Sequence, residues 1–140
     1  MTDYSKTFLD HYRRPRNLGD LEGADAIAIV HDDVCGDVLR LAVTVDRPRA
    51  LGGDAPTGAE VGFRVREARF KAFGCAATTA VASVLTEMLI GSTEKEIGRL
   101  GAADLIDALG GLPPGRVHSA VLGGEALRAV IERLDQCVSE

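Results

Sequence analysis

Apolar residues recur along this chain with two different periods, and the switches between them divide it into elements. Tyr4, Phe8 and Tyr12 return every fourth residue with Leu9 beside them, the stripe of a short amphipathic helix from Tyr4 to Tyr12. Thr2 or Asp3 can cap it, Pro15 ends it, and Arg13, Arg14 and Arg16 read as a solvated basic end. After a loop from Asn17 to Gly23, Ile27 and Ile29 mark a strand over Ala24–His31, and Asp32 to Gly36 turn the chain. Val38 to Asp46 then alternates, with Leu39, Leu41, Val43 and Val45 on one face and Arg40, Ala42 and Thr44 on the other. Arg47 to Gly62 is rich in Gly, Pro and Ala without apolar periodicity, and reads as a long flexible insertion between hairpin strands. Phe63 to Phe73 is the third strand.

Beyond Gly74 the period becomes helical. Ala76 to Ile90 carries Val81, Val84, Leu85 and Met88 at helical spacing. Ser92 or Thr93 caps a turn of helix near Glu94–Arg99, and Ala102–Leu109 is another short helix. Gly110 to Gly115 is a rigid break, after which Val121, Leu127, Val130, Ile131 and Leu134 stripe a last helix over Val117–Val138. Gly123-Gly124 inside that helix costs about 1 kcal/mol per Gly relative to Ala, which marks a point where it can kink or break. Three consecutive strands joined by hairpin-like links, then helices, predict an α+β fold: a three-stranded antiparallel meander packed against about five helices in one domain spanning residues 1–140.

Composition narrows the function classes. A net charge of −5 argues against nucleic-acid binding through a broad basic face. Asp3 and Lys6 interrupt the N-terminus with no apolar run after them, so neither a secretory leader nor a membrane span is expected. Three widely spaced cysteines suit reduced thiols in the cytoplasm better than a disulfide framework.

Few residues can carry chemistry. Cys75 stands where a strand turns into a helix, facing the unpaired N–H groups and positive dipole end that favour a thiolate. A lone cysteine there serves equally as a small buried apolar side chain. Cys35 and Asp37 flank Gly36, and residues two apart in extended backbone point the same way. His118 follows Pro113-Pro114-Gly115 near the start of the last helix. Two Cys, one Asp and one His from three loops are metal-ligand types, and four ligands suit tetrahedral Zn²⁺, although spacing alone does not bring them together. His11 reads as a packed or capping side chain, and His31 with Asp32 and Asp33 as a solvated loop in preference to a metal cluster. No Gly-rich phosphate loop, His-Glu-x-x-His motif or nucleophile elbow is present.

Four segments in order, Asp10–Gly19, Cys35–Asp37, Ala68–Cys75 and Leu112–His118, together resemble the IscU/NifU-type iron–sulfur cluster scaffold family. The resemblance covers nearly the whole chain. It implies a scaffold rather than an enzyme, which receives sulfur from a cysteine desulfurase and iron from a donor. Such a scaffold assembles a labile cluster, usually [2Fe–2S], and passes it to apo-protein acceptors. It also implies a monomer or weak dimer, and Cys35, Asp37, Cys75 and His118 as the matching ligand positions, with the Asp governing lability.

The chain departs from the family pattern in three places. The third Cys, which follows the His, is Ser119; the connection at 47–62 is longer than a tight turn; and the segment recognised by a chaperone reads Leu112-Pro113-Pro114-Gly115-Arg116. A neutral hydroxyl is a far poorer cluster ligand than a thiolate. Cys137 lies eighteen residues further along the same helical segment, about 27 Å at 1.5 Å per residue, and only a sharp fold-back at Gly123-Gly124 would bring it near. Two further readings therefore stand beside the cluster scaffold: a zinc-binding sulfur acceptor or regulator of a desulfurase, and a degenerate paralogue without a cluster.

Overall fold

The computed structural model describes residues 4–33, 36–46 and 62–138, with side chains as far as residue 135. Three strands, β1 (Ala26–His31), β2 (Val38–Asp46) and β3 (Arg64–Phe73), form one antiparallel sheet in the order β1-β2-β3. Five helices accompany it: α1 (Lys6–Arg13), α2 (Ala76–Leu89), α3 (Glu94–Ile97), α4 (Ala102–Ala108) and α5 (Val117–Val138). The expected α+β meander is therefore the fold. The insertion expected at 47–62 lies, but for Gly62, outside the described residues.

Register explains the core. Ala28, Leu41 and Phe70 stand abreast across the three strands, and all are buried on the face that α2 and α5 cover. A bulge between Thr44 and Val45 shifts the pairing so that Val45 meets Val65. The free edge of β3 is closed by two loops. Asn17 and Gly19 exchange backbone hydrogen bonds with Phe70, and Gly91 and Ser92 do so with Val65. Backbone groups that would otherwise stand unpaired are satisfied in this way.

Helix α2 is the centre of the molecule. Ala77, Ala80, Val81, Leu85 and Leu89 are buried, and so are three of its four hydroxyl residues, Thr78, Ser83 and Thr86. Each of these hydroxyls meets a partner from another segment: Thr78 meets Asp37, Ser83 meets His11, and Thr86 meets Asn17. Buried polar groups are tolerated when they are paired in this way.

Three local expectations change. Helix α1 begins at Lys6 rather than Tyr4, because Ser5, not Thr2 or Asp3, accepts the Phe8 N–H as cap at 2.9 Å. Arg16 is not a solvated end. It pairs with Asp10 at 2.5 Å and lies 3.6 Å from Glu87, while its backbone N–H donates to Ser83. Helix α5 runs unbroken through Gly123-Gly124. A Cβ on Gly123 would lie 2.7 Å from Val81 and 3.0 Å from Leu105, so the glycine permits close approach of α2 and α4 instead of bending α5. His11, as expected, is packed: it is 4% exposed between Ser83 and Glu87. No helix among the described residues is long and apolar enough to cross a membrane.

Candidate metal centre

One end of the sheet gathers the residues that can hold a metal. Asp37 immediately precedes β2, Cys75 caps α2 just beyond β3, and His118 lies in the first turn of α5. The pairing of Val38 with Phe73 sets the Asp37 and Cys75 segments side by side. The 3₁₀ turn Pro114–Arg116 delivers the chain into α5 and brings His118 to the same end. One ligand atom from each of Asp37, Cys75 and His118 lies within 4.8 Å of the others. Cys35, the fourth expected ligand, lies outside the described residues.

Asp37 is held in a cradle. Gly74 has φ +138°, and a Cβ there would collide with the Asp37 carboxylate, so only glycine leaves room for it. Its Oδ1 accepts the Cys75 N–H at 3.3 Å and its Oδ2 accepts the Thr78 hydroxyl at 2.7 Å. Cys75 supplies no side-chain cap to α2, and Asp37 caps that helix from another strand. Asp37 is 2% exposed. Burial alone would push its carboxyl pKa up. The hydrogen bonds from Thr78 and from the Cys75 thiol and backbone, with the charge of His118, outweigh that effect and leave it below the ordinary carboxylate range.

The two edges that Asp37 makes fit a tetrahedral ion. Asp37 Oδ2 lies 3.5 Å from Cys75 Sγ and 3.6 Å from His118 Nε2. A zinc ion with bonds near 2.0 Å to O and N and 2.3 Å to S sets those edges at about 3.5 and 3.3 Å. His118 Nε2 is itself buried and without a hydrogen-bond partner among the described residues, as suits a nitrogen that binds a metal.

Ser119 packs beside Cys75 and Thr78. It is fully buried, with its hydroxyl 3.5 Å from Cys75 Sγ and 3.2 Å from the Thr78 hydroxyl. Asp32, expected in a solvated loop, instead reaches to 4.0 Å from His118 Nε2 with its side chain 16% exposed, whereas His31 and Asp33 face solvent. The turn Asp32 to Gly36 is tied at both ends, by the Asp32 N–H to Asp37 and the Gly36 N–H to Asp32, and this pulls Asp32 inward.

Sequence reasoning missed Thr78 and Asp32. Thr78 lies three residues after Cys75 and so on the same face of α2, a hydroxyl in an Ala-rich first turn. That spacing is the signal that could have found it. Leu112–Arg116, the segment expected to meet a chaperone, leads directly into His118 and is partly exposed, with the Arg116 guanidinium donating to Tyr4 at 3.2 Å.

Residues 3–138 match the NifU-like N terminal domain family. The chain belongs to the IscU/NifU family. It is similar to an iron–sulfur cluster assembly scaffold protein IscU of Archaeoglobus fulgidus, at 34% identity over 128 residues, 91% of this chain and 74% of that protein. It also resembles the nitrogen fixation protein NifU of Azospirillum brasilense, 37% identical over 133 residues, which are 94% of this chain and 39% of that longer protein. Its fold superposes on the N-terminal part of a NifU-like protein from Brucella abortus with a TM-score of 0.66 at 21% identity, covering 94% of each chain. In this IscU/NifU chain the candidate centre lies at the end of the sheet where β2, β3, α2 and α5 meet.

Proposed function

We propose that this chain is a scaffold on which iron–sulfur clusters are built and from which they are handed to apo-proteins. The convergence of Asp37, Cys75 and His118 within 4.8 Å carries this reading. The cluster is cargo, not a resident cofactor, and the chain performs no catalytic turnover. Sulfur comes from a cysteine desulfurase, and iron binds before or with it, in the cytoplasm. Cys75, which is only half-buried, can receive and hold the sulfur, while Asp37 and His118 supply oxygen and nitrogen donors for iron. Cys35, two residues before Asp37, supplies the second thiol. A cluster held by two thiolates instead of three is bound weakly, which suits transfer. Leu112–Arg116, beside His118, is the segment that a chaperone would grip to promote release.

A second reading has its own support. The Asp37–Cys75 and Asp37–His118 edges match those of a single tetrahedral Zn²⁺, and Ser119 takes away one thiolate. In that case the protein binds zinc and accepts persulfide from, or regulates, a desulfurase without building a cluster. A degenerate paralogue would do neither.

Anaerobic reconstitution with iron and sulfide, followed by visible absorbance and metal analysis, separates the three. A cluster chromophore that transfers to an apo-ferredoxin supports the scaffold. Stoichiometric zinc without a chromophore supports the zinc reading. Binding of neither leaves the degenerate paralogue.

A further inference from the structure

The Thr78 hydroxyl has no part in the ligand set, yet it lies behind it. It is fully buried in the first turn of α2. It is 2.7 Å from Asp37 Oδ2, 3.2 Å from Ser119 Oγ and 3.6 Å from Cys75 Sγ. A hydroxyl has one proton to give, and an ionised carboxylate can only accept. The proton of Thr78 therefore goes to Asp37, and its lone pairs are left to accept from Ser119. With Oδ1 taken by the Cys75 N–H, the carboxylate is gripped at both oxygens. The grip fixes which lone pair of Oδ2 faces Cys75 Sγ and His118 Nε2.

We propose that Thr78 is a positioning residue for the metal centre, aiming Asp37 Oδ2 at the bound ion, with Ser119 orienting the Thr78 hydroxyl by donating to it. The inference rests on the metal-binding reading above. Partners that orient metal ligands through hydrogen bonds typically contribute about 10–100-fold to affinity when removed. A neutral donor bonded to Oδ2 leaves a second lone pair of that oxygen for the metal, so the bond and the coordination coexist. Deleting the donor lets the carboxylate rotate about its terminal torsion, which is broad and soft.

The test compares Zn²⁺ affinity, by competition with a chromophoric chelator, in the unmodified protein, Thr78→Ser, Thr78→Ala and Thr78→Val, with Co²⁺ absorption as the geometric readout. Serine keeps the hydroxyl and loses only a methyl group. We expect it to bind within about threefold of the unmodified protein and to keep its Co²⁺ spectrum, whereas Ala and Val lose about 10–100-fold and broaden or weaken the tetrahedral Co²⁺ bands. Should Val not fold, the Ser-against-Ala comparison decides alone, since those two differ only by the hydroxyl. Equal affinities for Ser and Ala overturn the proposal, whether both are weak or both are tight. An unmodified protein that binds no Zn²⁺ or Co²⁺ overturns the metal-centre reading itself and this inference with it.

Discussion

On the scaffold reading, Ser119 sets how firmly the centre would hold a cluster. Its hydroxyl is buried 3.5 Å from Cys75 Sγ, where a soft charged donor would be. Near neutral pH that hydroxyl stays protonated and binds iron poorly. Ser119→Cys should therefore raise the cluster yield of reconstitution and slow its loss to chelator, measured as absorbance and its decay for the two proteins side by side under anaerobic conditions. A full, long-lived cluster in the unmodified protein, unchanged by the substitution, would mean that the third thiolate does not limit the site. The meeting of Asp37, Cys75 and His118 at one end of the sheet was legible in the sequence because each lies at an element boundary inside a recognisable short segment. Thr78 was not, because its meaning depends on Asp37, forty-one residues away in the chain. Asp32 was misread because charge and a turn normally signal solvent, whereas the backbone ties of that turn hold it inward, 4.0 Å from His118 Nε2.

At the scale of elements, two adjacent glycines in α5 have opposite roles. Gly123 lies where a Cβ meets Val81 and Leu105, while a Cβ on Gly124 has ordinary contact only, 3.8 Å from the Ala102 nitrogen. Gly124→Ala should stabilise the protein by roughly 1 kcal/mol, through helix propensity and a less flexible unfolded chain. Gly123→Val should destabilise it by about 1–3 kcal/mol, because overpacking forces α2, α4 and α5 apart. Urea denaturation of the two single variants checks both signs. Propensity alone suggested a break at this pair. Tertiary packing overrode it, and packing between helices is what a one-dimensional pattern does not carry. The same holds for α1, whose docking on α2 depends on His11. Ser83 can donate to His11 Nδ1 while His11 Nε2–H points to Glu87, so the neutral imidazole satisfies both partners. Burial, reinforced by the Arg16 charge, outweighs Glu87 and Asp10 and holds the His11 pKa below its ordinary value. Below about pH 6.5 the unfolded chain then binds more protons than the native one, so stability falls as pH drops and is flat above that value. The urea midpoint should decline as the pH falls below about 6.5, and His11→Gln should flatten that decline. A midpoint independent of pH in this window for the unmodified protein would contradict the assignment.

For the molecule as a whole, the candidate metal centre and the points where the 47–62 connection joins β2 and β3 are at opposite ends of the sheet. Strands β2 and β3 pair from Val38–Phe73, beside Asp37 and Gly74, to Asp46–Arg64 at the far end. Eight steps of about 3.4 Å separate the two ends by roughly 27 Å. The alternation of β2, the three-strand order and the helical stripes were all legible in the sequence, since each is a local periodicity that the fold preserves. The connection was legible only as something without a period. The register adds what composition could not: because Asp46 and Arg64 are partners, the chain leaves and re-enters the sheet at adjacent points. A four-residue turn can therefore replace the connection. Loop closure costs only about 0.6 kcal/mol per doubling of length, so this shortening should stabilise the fold by roughly 1 kcal/mol. Zn²⁺ affinity should be unchanged within error, because no ligand lies at that end. Chelator competition and thermal unfolding on the shortened chain measure the two quantities separately. A loss of Zn²⁺ affinity with the fold intact would show that the connection contributes to the metal centre across the sheet, and a loss of stability would show that it packs on the core.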